Sequence, residues 1–249
     1  MLTLSPVSIP EQLQRLPQPP KQLFVEGPLE ALLSSPCVAI VGSRKVSPYG
    51  RQVTELFART LAERGVVIVS GLAFGIDSIA HRAALEAGGK AIAVLPTPLD
   101  RIYPASHRQL AADILERGGA LVSEYAPDDD TYRSSFVARN RLIAGLADAT
   151  LIPEAALKSG SLHTARFTLE LGKDVLAVPG NITSPVSEGT NNLIRVGATP
   201  ITSVGDLLFA LNLPVNAPQK PKGQTPAEQT ILDLLAAGVC DGAELLQQS

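Results

Sequence analysis

The sequence predicts an α/β protein built on a mostly parallel sheet, and three observations carry that prediction. Short runs of β-branched and aliphatic residues, of which Val66-Val67-Ile68-Val69 is the clearest, read as strands buried on both faces. They alternate with stretches of helical periodicity at a spacing that calls for βαβ units. The composition agrees. Of 249 residues 45% are hydrophobic but only 4% aromatic, with no Trp, so the core must be Leu, Ile, Val and Ala packed in layers.

Residues 1–36 are proline-rich (Pro6, Pro10, Pro17, Pro19, Pro20, Pro28 and Pro36) and read as a strapping segment over the main domain, with one edge strand and a short helix. The main domain spans 37–211. Its first buried strand is 37–41, turning at Gly42-Ser43-Arg44. Pro48 suits a helix start, Leu56, Phe57, Thr60 and Leu61 supply that helix's apolar stripe, and Gly65 closes it. The 66–69 strand empties through Ser70-Gly71-Leu72-Ala73-Phe74-Gly75-Ile76-Asp77 into an alanine-rich helix over 78–87. Further strands are read at 91–95, 120–122, 150–152 and 175–178, with helices near 106–117, 136–147 and 161–171 between them. A short helix near 192–195, a strand near 199–202 and a helix through 211 complete the domain. Residues 212–224 lack apolar periodicity and read as a linker. Beyond them, Thr225-Pro226 signals a helix start. Residues 225–249 then form a helical module too short to bury a core of its own.

Composition narrows the function classes. A net charge of −3 gives no global basic field, so nucleic-acid binding requires a local patch. Only Cys37 and Cys240 are present, which offers no zinc site and no disulfide framework and fits a reducing cytosol. The N-terminus lacks the features of a signal peptide. No apolar run reaches the roughly 18 residues of a membrane span. A cytoplasmic protein without membrane contact is expected. His81, His107 and His163 share no metal-ligand spacing, and no GxSxG elbow is present. His81 reads as structural, and Asp77 as the cap of its own loop. Glu124 and Glu154 fall at strand ends, where a carboxylate can serve catalysis or position arginines. No residue demands a catalytic role, a metal or a cofactor.

Ligands of such sheets collect beyond the carboxyl ends of the strands. Ser70, Gly71, Ala73 and Gly75 form a turn into a helix N-terminus, the shape of a phosphate cradle with its backbone amides pointing outward. The same small residues also suit a plain scaffold turn, and the pattern is neither GxGxxG nor a P-loop. Ser43 and Arg44 add a cation to the rim. The run Arg133-Ser134-Ser135-Phe136-Val137-Ala138-Arg139-Asn140-Arg141 places three guanidinium groups, an amide and an aromatic ring near another strand end. Guanidinium groups bind phosphate bidentately and an aromatic ring stacks a base. A solvated helix start, its arginines paired with Asp128, Asp129 and Asp130, fits the same run. Lys158-Ser159-Gly160-Ser161, leading into Leu162-His163-Thr164, is either a further anion site or a well-capped helix.

These stretches, taken in order, resemble the DNA-processing protein A family (DprA, also called Smf). The resemblance lies in 39–44, in 70–77 with His81, and in 136–145. It continues through 159–165, Ala177-Val178-Pro179-Gly180 and Gly189-Thr190-Asn191-Asn192-Leu193-Ile194. It runs from about residue 20 to 211 and is specific as a set. It implies an extended Rossmann-like, three-layer domain that binds single-stranded DNA and hands it to the RecA recombinase in natural transformation. The family usually works as a homodimer and is not known for enzymatic turnover. Family members hold DNA with the arginine of the GSR turn, the glycine loop, and a basic residue three before the phenylalanine. Those positions are Arg44, residues 70–75, Arg133 and Phe136, with Arg139, Asn140, Arg141 and Lys158 to Ser161 on the same rim. Val137, Pro153 and Pro98 depart from the residues usual at their positions. The N-terminal helical domain of many members is absent, and the tail resembles only the start of their winged-helix module.

An enzyme, a nucleotide or phosphoribosyl hydrolase of the lysine-decarboxylase-like type, shares this general fold and is the alternative. Such enzymes carry a PGGxGT turn, where this chain has Lys158-Ser159-Gly160-Ser161 and Pro179-Gly180-Asn181. A non-catalytic mononucleotide sensor is a third reading.

Overall fold

The computed structural model describes residues 2–4 and 8–214, and the expected module at 225–249 and most of the linker lie outside them. Nine strands form one sheet in the order β1-β2-β6-β5-β4-β3-β7-β8-β9. The central strands are β3 (Cys37–Ile40), β4 (Val67–Ser70), β5 (Ala91–Leu95), β6 (Ala120–Ser123), β7 (Ala149–Ile152) and β8 (Asp174–Ala177). With the short β9 (Thr199–Pro200) they run parallel, in registers such as Ala39 opposite Val69 on one side and Thr150 on the other. Both faces are covered, which is why these strands read as continuous apolar runs rather than alternating ones. The α/β, Rossmann-like fold class expected from the sequence is the one observed.

Two helical layers sandwich the sheet. Residues of α3 (Pro48–Ala62), α4 (Ile76–Glu86) and α9 (Val204–Ala210) pack with Val38, Ile40 and Ile68 on one face. On the same side α5 (Arg108–Glu116) packs with Ala91, Ala93 and Leu95. Residues of α1 (Glu11–Gln14), α2 (Leu29–Leu32), α6 (Arg133–Leu146), α7 (Ser161–Glu170) and α8 (Glu188–Arg195) meet Cys37, Ala39, Val67 and Val69 on the other. The two-residue period of each strand divides its side chains between these layers.

The N-terminal stretch differs from expectation. It holds two strands and two short helices. One strand, β2 (Leu23–Glu26), is interior, pairing antiparallel with both β1 (Leu2–Leu4) and β6. Leu23, Phe24 and Val25 are all buried because both sheet faces are covered there as well. Three helices also begin earlier than expected, α4 at Ile76 rather than 78 among them. Ser135 Oγ accepts a hydrogen bond from the Tyr132 amide at 3.2 Å, a cap that starts α6 at Arg133 rather than 136. Likewise α8 begins at Glu188. Elsewhere the caps follow their residues: Ser47 Oγ accepts from Gly50 N at 3.0 Å, with Pro48 at the first helical position of α3.

Chain order fixes where a site can form. From β3 the chain steps outward through β4, β5 and β6, then crosses back to β7 on the far side of β3. The loops leaving β3 and β7 therefore diverge, and a crevice opens at their carboxyl ends. Ser43 N donates to Glu154 O across it at 2.8 Å.

Candidate nucleic-acid interface

The turn after β3 is folded on itself. Ser43 Oγ donates to the Lys45 carbonyl at 2.7 Å and accepts from the Lys45 amide at 3.2 Å. Buried Ser43 thereby leaves Arg44 and Lys45 exposed at the lip of the crevice. Glu154 stands beneath them, 2% exposed, accepting from Ser47 N at 2.9 Å and from Ser47 Oγ at 2.5 Å. This carboxylate anchors the start of α3 and so positions the turn that carries Arg44.

The glycine turn between β4 and α4 corrects the sequence reading. Its amides do not all face outward: Gly71 N donates to Asp77 Oδ2 at 3.1 Å, and Ile76 N to the Ser43 carbonyl at 3.2 Å. The Ala73 amide also donates to Asp77. An internal carboxylate thus takes the place a bound anion would occupy. Burial pushes the Asp77 carboxyl above its ordinary pKa, and Arg139 and the surrounding donors offset only part of that rise. Ser70 is fully buried with Oγ donating to Ile40 O at 2.6 Å, so its hydroxyl serves the scaffold rather than a ligand. Glycine is required at 75, where φ is +78° and a Cβ would lie 2.2 Å from the Ser43 carbonyl. Leu72 adopts φ +56° while completely buried. Its carbonyl is held by His107 Nδ1 at 2.8 Å.

The arginines of α6 separate into three environments. Arg133 is exposed on the first turn. Arg139 is 4% exposed; Nη1 donates to Gly71 O at 2.7 Å and to Val94 O, and Nε to Asn140 Oδ1 at 3.2 Å. Burial lowers its pKa to about 10, against the pull of Asp77, so it stays charged at neutral pH. Arg141 pairs bidentately with Glu124 at 2.6 and 2.8 Å. Among the described residues none of the three pairs with Asp128, Asp129 or Asp130. The carbonyls of Pro127 and Asp129 instead receive Arg101. Arg139 and Arg141 are thus committed to internal partners, and Arg133 is open to solvent.

Ahead of α7, Ser159 Oγ and Ser161 Oγ hydrogen-bond each other at 2.8 Å, and Asn140 Nδ2 donates to the Gly160 carbonyl at 3.2 Å. Lys158 remains exposed. These loops enclose a cleft of about 560 Å³. Ser43 and Arg44 line one side, Ala73 and Phe136 another, and Asn140 with Lys158 to Ser161 the third, with Arg139 behind. Ser70, Gly71, Gly75, Arg133 and Arg141 are not in its lining. Lys45 is, and sequence reasoning missed it, although its place beside Arg44 was the signal. The Arg44 guanidinium lies over the Phe136 ring, 5.8 Å from its centroid. Tyr103, also missed, meets Phe136 edge-on at 5.3 Å.

Catalytic and metal chemistry finds little here. Among the described residues no three His, Cys, Asp or Glu side chains are grouped to hold a metal ion. His81 is wholly buried, and neither ring nitrogen has a hydrogen-bond partner among them. Burial, with lesser contributions from His107 and Arg139, lowers its pKa to about 3. It sits in the core as a neutral ring. No helix among the described residues is long and apolar enough to cross a membrane.

Fold and cleft define a doubly wound α/β protein whose switch-point crevice is lined by cations and an aromatic ring, the place where such folds receive phosphorylated ligands. More narrowly, the chain belongs to the DNA recombination-mediator protein A family, whose profile matches residues 1–212. It is 49% identical over 214 residues to Protein Smf of Escherichia coli, covering 84% of this chain but 57% of that protein. The structure of DNA processing protein A from Streptococcus pneumoniae superposes with a TM-score of 0.77 at 41% identity, covering 84% of this chain and 73% of that one. That of Helicobacter pylori, described for its single-stranded DNA binding mode, gives 0.76 at 38% identity, with coverages of 85% and 95%. The resemblance drawn from the motifs is therefore a family membership.

Proposed function

We propose that this chain binds single-stranded DNA in the cleft between the ends of β3 and β7, without cleaving it, and passes the strand to the RecA recombinase. It would act as a cytoplasmic homodimer in natural transformation and recombination. One observation carries the reading: Arg44, Lys45 and Lys158 converge on a cleft floored by Phe136, in a protein whose net charge is −3. The carboxylates nearby among the described residues, Asp77 and Glu154, are both engaged as internal hydrogen-bond acceptors, which does not favour either as a general base. Cations give a strand's phosphates a place and an aromatic ring gives its bases one, with little regard to sequence. The single-stranded DNA binding mode described for the Helicobacter pylori relative supports the same ligand. The homodimer and the RecA handover rest on family resemblance.

Labelled oligo-dT titrated at several salt concentrations tests the reading. Three phosphates held should give a log–log salt slope of about −2, from roughly −0.7 per phosphate. The double variant Arg44→Ala, Lys158→Ala should bind far more weakly and with a shallower slope. Parental affinity in that variant would remove the cleft from the proposal, and release of free base from nucleoside monophosphates would replace mediation with hydrolysis.

A further inference from the structure

Resting on the DNA-binding reading, we infer that Tyr103 and Phe74 are base-stacking platforms that extend the strand's path beyond Phe136. Accessible ring surface decides where a base can stack. Tyr103 and Phe74 are each 49% exposed, whereas Phe136 is only partly exposed, with Arg44 over its ring and Tyr103 against it. A base can stack only on a ring that water reaches. Tyr103 and Phe74 therefore offer a base more open ring surface than Phe136 does.

Both rings are held in place. Phe74 rides on the β4–α4 turn and packs against His107 at 4.9 Å and 64°. His107 is in turn fixed to the Leu72 carbonyl. Tyr103 precedes His107 on the β5–α5 connection and braces Phe136 at 5.3 Å and 81°. Rings held this way lose little side-chain freedom on binding.

The space bounded by Phe74, Tyr103, Phe136 and Pro104 is about 20 Å³, room for one water and not for a base. Bases must therefore lie on the outward faces of the rings. Arg44 lines this small cavity and the 560 Å³ cleft alike, so the same cation that meets phosphate borders the aromatic ledge. Stacking surface beside a cationic groove fits a single strand, whose bases are unpaired and free to turn outward. Tyr103 has no hydrogen bond for its hydroxyl among the described residues, so its ring earns no structural role through that group.

The absence of Trp makes a direct test available, because Tyr103→Trp introduces a single indole. Oligo-dT should quench its fluorescence along the same saturation curve that anisotropy of the labelled strand reports. An abasic oligomer of equal length, which keeps every phosphate, should leave it unquenched. Tyr103→Ala and Phe74→Ala should each weaken oligo-dT binding by roughly 5- to 150-fold, the range found for one stacked base. The salt slope should be unchanged, unlike that of Arg44→Ala. If the strand binds yet the indole is not quenched, or Tyr103→Ala keeps the parental Kd, the ledge is not a DNA surface although the cleft is. Quenching that follows protein concentration rather than DNA would assign the ledge to a protein partner and overturn the inference. If the parent binds no strand at all, the DNA reading itself fails and this inference falls with it.

Discussion

Arg133 and Arg139 belong to one helix and carry one functional group, yet they live in opposite environments. Six residues of α-helix turn the second about 120° from the first around the axis. Arg133 therefore faces solvent, while Arg139 points inward, where it reaches the Gly71 and Val94 carbonyls at the ends of β4 and β5. The difference teaches that a run of arginines is not one site. An exposed guanidinium can exchange its hydration for a mobile anion. A buried one has committed Nε and Nη1 to internal acceptors, and here it clamps two strand-end loops in the positions that shape the cleft. Arg141, bound to Glu124, stands between these extremes.

Removing the clamp should have the largest effect. Arg139→Leu leaves two buried carbonyls unpaired and strips Asp77 of its nearby positive charge, so urea unfolding should report a loss of about 3–5 kcal/mol. Arg139→Lys should recover only part of it, because an ammonium lacks the planar fork that serves several acceptors at once. A parental unfolding midpoint in Arg139→Leu would erase the distinction between the two arginines.

The interior beside Arg139 also holds the His81 ring, buried without a hydrogen-bond partner among the described residues. His81 has a folded pKa near 3 against 6.5 unfolded, so the unfolded chain binds the extra proton between those values. Stability is then fully present above pH 6.5 and should fall by about 1.4 kcal/mol per unit as the pH drops toward 3. Asp77, whose raised pKa favours the fold as the pH falls, opposes this in parent and variant alike, so the difference in stability between parent and His81→Leu across this window should show that slope. An unchanged slope in the variant would place the titration elsewhere. The smallest effect belongs to Arg133→Ala, whose unfolding free energy should stay within about 0.5 kcal/mol of the parent. A larger loss would mean that Arg133 too is structural.

How much of this was legible in the residues depends on range. Strands β3 through β8 were readable because burial on both faces leaves an unbroken apolar run. Helix α3 was readable because Ser47 and Pro48 encode its start locally. Strand β2 was misjudged as an edge because its partners, β1 and β6, lie on both sides and one is remote in sequence. Arg44, Phe136 and Lys158, singled out by residue type and place, all line the cleft. That Arg141 is held by Glu124, or that Arg139 is sealed beneath Gly71, follows from tertiary contacts that no local pattern encodes. Tyr103 was missed for the same reason, since its loop meets Phe136 only in the folded chain.

The carboxylate of Asp77, seated among the amides of its own loop, has a consequence for discrimination. Cells hold abundant free nucleotides, and an open anion hole at this turn would offer their phosphates a ready seat. With that seat filled from within, a lone mononucleotide meets only exposed cations, each worth little singly. A polymer engages several of them at once, so under the proposed function its advantage is avidity along the strand. The loop that looks most like a nucleotide pocket is, on this view, what keeps nucleotides out.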